Sequence, residues 1–393
     1  MASYALDDEV AYKQITLLWA VMFVIVSVIY RPIEQLLSRT IADRRARGLE
    51  HDHPVRTPLL LQAGLASAFL VTALALRGPI QDDLFDGSAA LYWILVAGVL
   101  AYAASYFARG YLAGHQQFAL YGGLVFLEAC SRCCFALAVL VGIASGQTAV
   151  ALGMAAAPFV SLVVVPAAFS RRAQAAAAEA GGRRGKGDDL GLGRGGRFAV
   201  AVFAVMLAEQ TLLNAAVLAV DVTEAGAAAG FVFNVLLIAR APLQLFQAIQ
   251  GSLLPHLAGL EATAGREEFA RAIRVTVLAI AGFAGAVALG LLAVGPFAMD
   301  LLFEDTYEYG RFGLALIAIG MGAHLIAGTL NQAALARDRA GLAALGWLLS
   351  AGLFVAWMLS SVIEDPLLRT EVGYAGAAAL LCALLAGVYR RGR

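Results

Sequence analysis

The stretch Arg31–Gly48, RPIEQLLSRTIADRRARG, ends a long apolar segment and begins a strongly basic connector. A similar stretch, Ala241–Pro255, APLQLFQAIQGSLLP, ends another long apolar segment. In each, a proline near the end of an apolar helix is followed by amides or a carboxylate, which are costly to place in lipid. Pro32 and Pro242 differ by 210 in residue number. Two such stretches predict a chain built from two similar halves.

A second pair of stretches supports the duplication. The segment Arg109–Gly122 aligns with Gln332–Leu345 when Leu112 is placed over Leu335, so that the offset in residue number is 223. Both pairs fall where basic residues collect, so the halves are expected to be parallel repeats, related by an axis along the membrane normal. Transporters with such halves bind their substrate near the interface of the repeats.

The composition indicates an all-α membrane protein. Of the 393 residues, 61% are hydrophobic and 14% are charged, whereas a soluble domain has about 25% charged residues. A transmembrane helix needs about 20 mainly apolar residues. On that basis we predict eleven transmembrane helices in two pseudo-symmetric bundles, at roughly 14–33, 58–77, 90–109, 119–142, 148–169, 198–220, 227–249, 273–296, 311–332, 341–362 and 372–390.

The basic residues predict the orientation. Connectors rich in arginine alternate with acidic or uncharged ones, so that 22 of the 28 basic residues fall on one side. Because cytoplasmic connectors keep positive charge, we expect a multi-pass plasma-membrane protein with its N-terminus outside and its C-terminus in the cytoplasm. We predict a five-helix lobe at 1–170, a basic Gly- and Ala-rich cytosolic linker at 171–197 and a six-helix lobe at 198–393. The unequal lobes indicate that the first lobe lacks its first helix.

Several functional classes are disfavoured. The net charge is zero and no basic patch contains interleaved aromatic residues, so no nucleic-acid partner is expected. The segment GGRRGKG at 181–187 lacks the spacing and the final hydroxyl residue of a phosphate-binding loop, which argues against ATP hydrolysis. No second cysteine pair or histidine cluster completes a zinc site with Cys130 and Cys133. We therefore expect no metal, no cofactor and no enzymatic activity.

Polar residues inside apolar segments are candidate site residues, because charge is costly within lipid. Glu128 and Arg132 lie four residues apart on one helix face, which fits either a self-neutralising pair or a site for a charged substrate group. Glu209, beside Gln210 and near Asn214, is a candidate for binding a coupling ion. The alternative for Glu209 is a hydrogen bond to a neighbouring helix.

Further candidates come from the two similar stretches and the helix ends. A polar stripe on the helix predicted at 227–249 either lines a cavity between the halves or packs on another helix, and it comprises Asn234, Arg240, Gln244 and Gln247. Glu34 and Ser38 are its counterparts in the first half. Arg39 and Arg109 lie near helix ends, where they either snorkel to the interface or recognise a lipid-linked diphosphate through their forked guanidinium groups.

The segments Pro32–Arg39 and Ala108–Gly122, followed by Glu128 and Arg132, resemble actinobacterial polysaccharide biosynthesis proteins. These belong to a superfamily of oligosaccharidyl-lipid flippases that also contains O-antigen flippases and the multidrug and toxin extrusion (MATE) exporters. The resemblance implies a MATE-like V of two six-helix lobes, a central cationic cavity and alternating access. It also implies that a polyprenyl-diphosphate-linked oligosaccharide moves from the cytosolic to the outer leaflet for cell-surface polysaccharide synthesis. The positions that match are Glu34, Arg39, Arg109, Glu128 and Arg132.

The expected partners are membrane lipid, the polyprenyl-linked glycan and enzymes of glycan assembly. A MATE-like drug/cation antiporter is the first alternative, and it would need Glu209 or Glu128 to titrate during turnover. A membrane glycosyltransferase or O-antigen ligase is the second, although the outside connectors are short and contain no histidine or catalytic carboxylate pair. A non-transporting scaffold is the third, suggested only by the missing helix.

Overall fold

The fold is all-helical in a computed structural model. The structure describes residues 9–46, 55–144, 146–164, 166, 192–223, 232, 235–236, 242–243, 253–261, 265–302, 309–360 and 362–391, and no strand occurs among them. The chain divides into two compact units, Met1–Ala199 and Val200–Arg393. The all-α fold class predicted from the composition is thereby confirmed.

The described part of the first unit contains five complete helices. They are α1 (Glu9–Ala46), α2 (Arg56–Ala75), α3 (Ala89–Gly114), α4 (Phe118–Leu140) and α5 (Gly146–Ser161). A π-helical turn, Pro79–Leu84, separates α2 from α3, and a 3₁₀ turn, Leu162–Val164, follows α5. A sixth helix, α6 (Leu192–Thr223), contains the boundary between the units. Its first residue lies six positions before the predicted start at 198.

The second unit contains most of α6, a helical segment at 253–261 and four long helices. These are α7 (Gly265–Leu302), α8 (Arg311–Ala336), α9 (Ala340–Met358) and α10 (Pro366–Arg390). Asp365 begins α10 by accepting a hydrogen bond from the Leu367 amide at 2.9 Å, and Pro366 occupies the first helical position. Ser88 similarly accepts from the Leu91 amide at the start of α3.

Nine helices of the described chain are long and apolar enough to cross a membrane, judged by length and composition. They correspond to nine of the eleven predicted transmembrane helices. The helix predicted at 148–169 is the shorter α5 followed by its 3₁₀ turn. Most of the helix predicted at 227–249 lies outside the described residues.

The two units repeat one pattern of helix packing. In the first unit α3 packs against α2, α4 and α5, and α4 also packs against α5. In the second unit α8 packs against α7, α9 and α10, and α9 also packs against α10. Helices α3 and α8 each have 26 residues. Their first residues differ by 222 in residue number, and so do their last.

Two glycine contacts fix the register of this repeat. A Cβ added to Gly98 would lie 3.5 Å from the Ala155 Cα, and one added to Gly320 would lie 2.9 Å from the Ala375 Cα. These pairs set the offset in residue number at 222 between α3 and α8 and at 220 between α5 and α10. Close glycine contacts of this kind let transmembrane helices approach each other.

A second pair of contacts gives the same offsets. A Cβ on Gly153 would contact the Phe135 side chain, and one on Gly373 would contact the Trp357 side chain. Phe135 and Trp357 differ by 222 in residue number, and the two glycines differ by 220. Helices α4 and α9 therefore share the offset of α3 and α8.

The turns after α3 and α8 correct the register expected from the sequence. Gln116 and Asp338, which the offset of 222 makes equivalent, both have positive φ, 56° and 60°. The Gln116 amide donates to the Ala113 carbonyl, as the Asp338 amide donates to the Leu335 carbonyl. The offset of 223 is therefore wrong by one position, because it matched a Leu-Ala dipeptide and not the turn. The surroundings of Pro242 lie outside the described residues, so its equivalence to Pro32 stays a prediction.

Candidate functional site

Two helices of the first unit carry polar side chains at helical spacing. On α4, Tyr121, Glu128 and Arg132 are separated by seven and four positions, so they lie on one face. On α3 the intervals are three and four positions, for Tyr102, Ser105 and Arg109. Contacts between these faces, together with Glu34 of α1 and Ser161 of α5, form what we call the polar cluster.

Glu128 lies at the centre of the polar cluster and is 1% exposed. Its carboxylate accepts a hydrogen bond from the Ser105 hydroxyl and forms an ion pair with Arg109. The Ser161 Oγ lies 3.3 Å from Glu128 Oε1 and 2.7 Å from the Pro158 carbonyl oxygen. The buried charge is thus paired and hydrogen-bonded, as an ion inside a protein requires.

Arg109 retains capacity for a further contact. Its Nη2 donates to Glu128, and its guanidinium carbon lies 4.6 Å from the centroid of the Tyr106 ring. Its Nε is buried and has no hydrogen-bond partner among the described residues. The Arg109 side chain is 13% exposed. Glu128 therefore uses only part of the hydrogen-bonding capacity of the guanidinium group.

Glu34 joins the polar cluster because α1 and α3 approach closely at Gly110. A Cβ on Gly110 would lie 2.8 Å from the backbone oxygen of Glu34, a contact that no larger residue permits. The Glu34 carboxylate accepts a hydrogen bond from the Tyr121 hydroxyl at 2.9 Å. The positive charges of Arg109 and Arg31 also act on it. One buried carboxylate therefore contacts α4 directly and interacts electrostatically with α3.

Arg132 has a different partner from the one its spacing suggested. Its Nη1 donates to the Tyr102 hydroxyl at 2.8 Å. Glu128, one helical turn earlier, forms its ion pair with Arg109 of the neighbouring helix. In the described structure both charged side chains of α4 therefore contact side chains of α3, and the self-neutralising pair within α4 does not form.

Of the remaining candidates, two are described by the structure and four are not. Arg39 lies on α1 with its guanidinium carbon 5.1 Å from the centroid of the Phe198 ring. Glu209 is buried on α6, where the Asn214 amide donates to the Gln210 carbonyl at 2.8 Å. Four predicted residues cannot be placed because they lie outside the described residues, namely Asn234, Arg240, Gln244 and Gln247.

Sequence reasoning missed four members of the polar cluster. Ser105 lies one helical turn before Arg109, and Tyr121 lies two turns before Glu128, so helical spacing could have found both. Tyr102 similarly precedes Arg109 by two turns. Ser161 has no such signal, because only the packing of α5 against α4 brings it to Glu128.

At the positions equivalent to Arg109 and Glu128, the second unit has two neutral polar side chains. With the offset of 222, Arg109 corresponds to Asn331, and Glu128 corresponds to Ser350. Both counterparts are buried, and the Trp347 indole nitrogen donates to Asn331 Oδ1 at 3.2 Å. Ionised groups at this position are thus confined to the first unit. Among the described residues, no group of three or more histidine, cysteine or acidic side chains could hold a metal ion.

The fold is similar to solved MATE transporter structures. A mutant of the Vibrio cholerae MATE transporter VcmN matches with a TM-score of 0.74 and 14% identity, covering 100% of this chain and 91% of that chain. A MATE in the straight conformation matches with a TM-score of 0.76 and 11% identity, covering 98% and 88%.

A multidrug resistance MATE family transporter of the MOP superfamily, in an outward-facing conformation, matches with a TM-score of 0.66 and 15% identity, covering 98% and 88%. No protein-family model and no curated protein matches the chain. At these identities the likeness establishes a MATE-like fold, and function has to be argued from the residues.

Proposed function

We propose that this protein is a membrane transporter that moves a polyprenyl-diphosphate-linked oligosaccharide from the cytosolic to the outer leaflet by alternating access of its two lobes. The supporting observation is the polar cluster of the first unit. Arg31 lies outside the polar cluster, but its positive charge acts on Glu34. With Arg31 included, three arginines face the two carboxylates of Glu34 and Glu128, so the cluster and this neighbouring arginine together have a net positive charge. A guanidinium with an N–H that lacks an acceptor suits a diphosphate oxygen.

The fold supports the same proposal. Proteins with this fold include a transporter of the MOP superfamily, the superfamily that the sequence resemblance also suggests. Moving a lipid-linked sugar needs a polar route for the sugar and the diphosphate, and it makes or breaks no covalent bond. We therefore propose no enzymatic activity.

A leaflet-transfer assay tests the proposal. The purified protein would be reconstituted into liposomes containing a fluorescent polyprenyl-diphosphate oligosaccharide, and a membrane-impermeant quencher would report transfer between leaflets. We expect transfer by the wild type, its loss in Arg109→Gln and its retention in Arg391→Gln, a change at an exposed arginine. Wild-type protein that folds and transfers no labelled lipid would refute the proposal.

A MATE-like drug/cation antiporter is the second candidate, and the buried carboxylate of Glu209 favours it. An antiporter of this kind exchanges an organic cation for an ion, so uptake of a fluorescent cation should follow an imposed proton or sodium gradient. Gradient-driven cation uptake that Glu209→Gln abolishes, with no leaflet transfer of the sugar lipid, would establish this candidate in place of the first.

The proposed orientation can be tested separately. We propose that the connection between α2 and α3 faces outside and that the turn between α8 and α9 faces the cytoplasm. In a background without native cysteines, Asp83→Cys should react with a membrane-impermeant thiol reagent added to intact cells. Asp338→Cys should react only after lysis, and the reverse result would invert the topology.

A further inference from the structure

The second unit contains a buried carboxylate outside the polar cluster. Glu371, in the second turn of α10, is 5% exposed. Its carboxylate packs directly against Gly313 in the first turn of α8, where an added Cβ would collide with both carboxylate oxygens. Glu371 has no hydrogen bond and no ion pair within the described part of the chain. The absence of a side chain at Gly313 therefore makes the space that an acidic group occupies.

The repeat shows that this arrangement is not required by the fold. By the offsets of 222 and 220, Gly313 corresponds to Leu91 of α3, and Glu371 corresponds to Ala151 of α5. Both residues of the first unit are fully buried in one hydrophobic core. The first unit thus uses a leucine on one helix and an alanine on the other, where the second unit uses a glycine and a glutamate.

Among the described residues, no charged group near Glu371 forms an ion pair with it. On α10 itself, the negative charge of Asp365 acts on it, and the Arg369 guanidinium donates to the Ser360 carbonyl at 3.1 Å. On α8, Arg311 is exposed in the first turn. At the end of α9, the Trp357 indole donates to the Arg369 carbonyl at 2.9 Å. Among the described residues at this end, the other titratable groups are Tyr309, which is buried, and Glu364, which is exposed. The segment 303–308 lies outside the described residues.

We propose that Glu371 is a proton-binding site of the second unit. A protonated carboxyl is less costly to bury beside Gly313 than an ionised one, which has no cation or hydrogen-bond donor among the described residues. Release of the proton therefore favours separation of α8 from α10 at this end, which the arginine distribution predicts to face outside. A role for this proton in driving transport rests on the proposed transport function, to which it adds Glu371 as the site of the coupling proton.

An infrared titration tests proton binding without any transport assay. The carbonyl stretch of a protonated carboxyl group would be followed in pH-difference spectra of the purified protein. We expect a titrating band that Glu371→Gln removes and that Glu364→Gln, at an exposed neighbouring position, retains. A band unchanged in Glu371→Gln would overturn the proposal, and so would a band displaced by sodium at constant pH, which would indicate a metal-cation site.

A repacked variant controls for folding. Gly313→Leu together with Glu371→Ala gives the second unit the residues that the first unit uses at Leu91 and Ala151. We expect this double variant to fold at least as stably as Glu371→Ala alone and to lack the titrating band. If the folded double variant kept the band, another carboxyl group would be its source and the proposal would be wrong.

Leaflet transfer measured over a range of pH separates this proposal from the proposed function. We expect Glu371→Gln to lose the pH dependence of the wild type, while Glu364→Gln keeps it. Absence of transfer in the wild type, with the infrared band present, would remove the proposed function and leave the proton site. Transfer whose pH dependence survives in Glu371→Gln would remove the coupling role.

Discussion

Arg109 of α3 forms an ion pair with Glu128 of α4 inside the first unit, where the Glu128 carboxylate is 1% exposed. Because the two partners belong to different helices, this contact ties α3 to α4. It also determines what happens when one member is removed, since the other then remains charged in a place with little access to water.

Glu128→Gln should destabilise the protein by about 3–5 kcal/mol, because it leaves the Arg109 charge without its partner. Arg109→Leu combined with Glu128→Leu should recover most of that loss, since an apolar pair can replace a buried ion pair. Equilibrium unfolding in mixed detergent micelles measures both, with the exposed Glu364→Gln as control. A double variant no more stable than Glu128→Gln would contradict the argument.

The hydrogen bond from Tyr121 to Glu34 should contribute about 0.6 kcal/mol and not more than about 1.7 kcal/mol, the range found for hydrogen bonds between transmembrane helices. A double-mutant cycle of Tyr121→Phe and Glu34→Gln isolates this coupling energy. Strictly additive effects would show that α1 and α4 are not coupled through these two side chains.

Gly110→Ala should destabilise the protein by about 1–3 kcal/mol, because the new methyl group would overpack the contact between α1 and α3. The nearest atoms are the backbone oxygen and Cα of Glu34, at 2.8 and 3.0 Å, and neither can rotate away. Gly123→Ala on α4 is the matched control, because nothing lies within 4 Å of its added Cβ. We expect that control to be neutral or to gain about 0.5–1 kcal/mol, and equal losses at both glycines would refute the close approach.

Arg337 should matter more for its packing than for its ion pair. Its guanidinium carbon lies 4.2 Å from the Phe269 ring centroid and 5.3 Å from that of Tyr389, and its Nε donates to Glu261 at 3.0 Å. Glu261 is 38% exposed, so Glu261→Gln should change the free energy of unfolding by less than about 1 kcal/mol.

Replacing Arg337 tests whether its packing contributes more to stability than its ion pair does. Arg337→Met removes the charge and the cation–π contacts and should lower stability by about 1–2 kcal/mol. Unfolding of the two variants under identical conditions compares them directly. A larger loss for Glu261→Gln than for Arg337→Met would show that the ion pair dominates.

The helices could be predicted because a span of lipid requires an uninterrupted run of about 20 apolar residues. That rule located α3, predicted at 90–109 and found at Ala89–Gly114. It placed the end of α1 too early, at 33, because the following polar and basic residues remain helical as far as Ala46. There Gly114 of α3 lets Ile41 approach closely, so packing between helices extends α1 beyond its apolar run.

The partners within the site could not be predicted in the same way. Spacing along α4 placed Glu128 and Arg132 on one face, but it contains no information about which side chains of α3 face them. That depends on how α3 and α4 are offset in space. Both helices pack against α5, at Gly98 and Gly153, and composition contains no information about these contacts. Glu371 escaped notice for the same reason, since its burial depends on a glycine of a different helix, two helices earlier in the chain.

The neutral side chains at Asn331 and Ser350, in the places of Arg109 and Glu128, have an evolutionary consequence. Because one copy has an ion pair at this place and the other has two neutral side chains, the two copies are not exchangeable. A chimera carrying two second halves would lack the ion pair between Arg109 and Glu128 in both copies. The two copies thus differ in charge at one place while they keep the same pattern of helix packing.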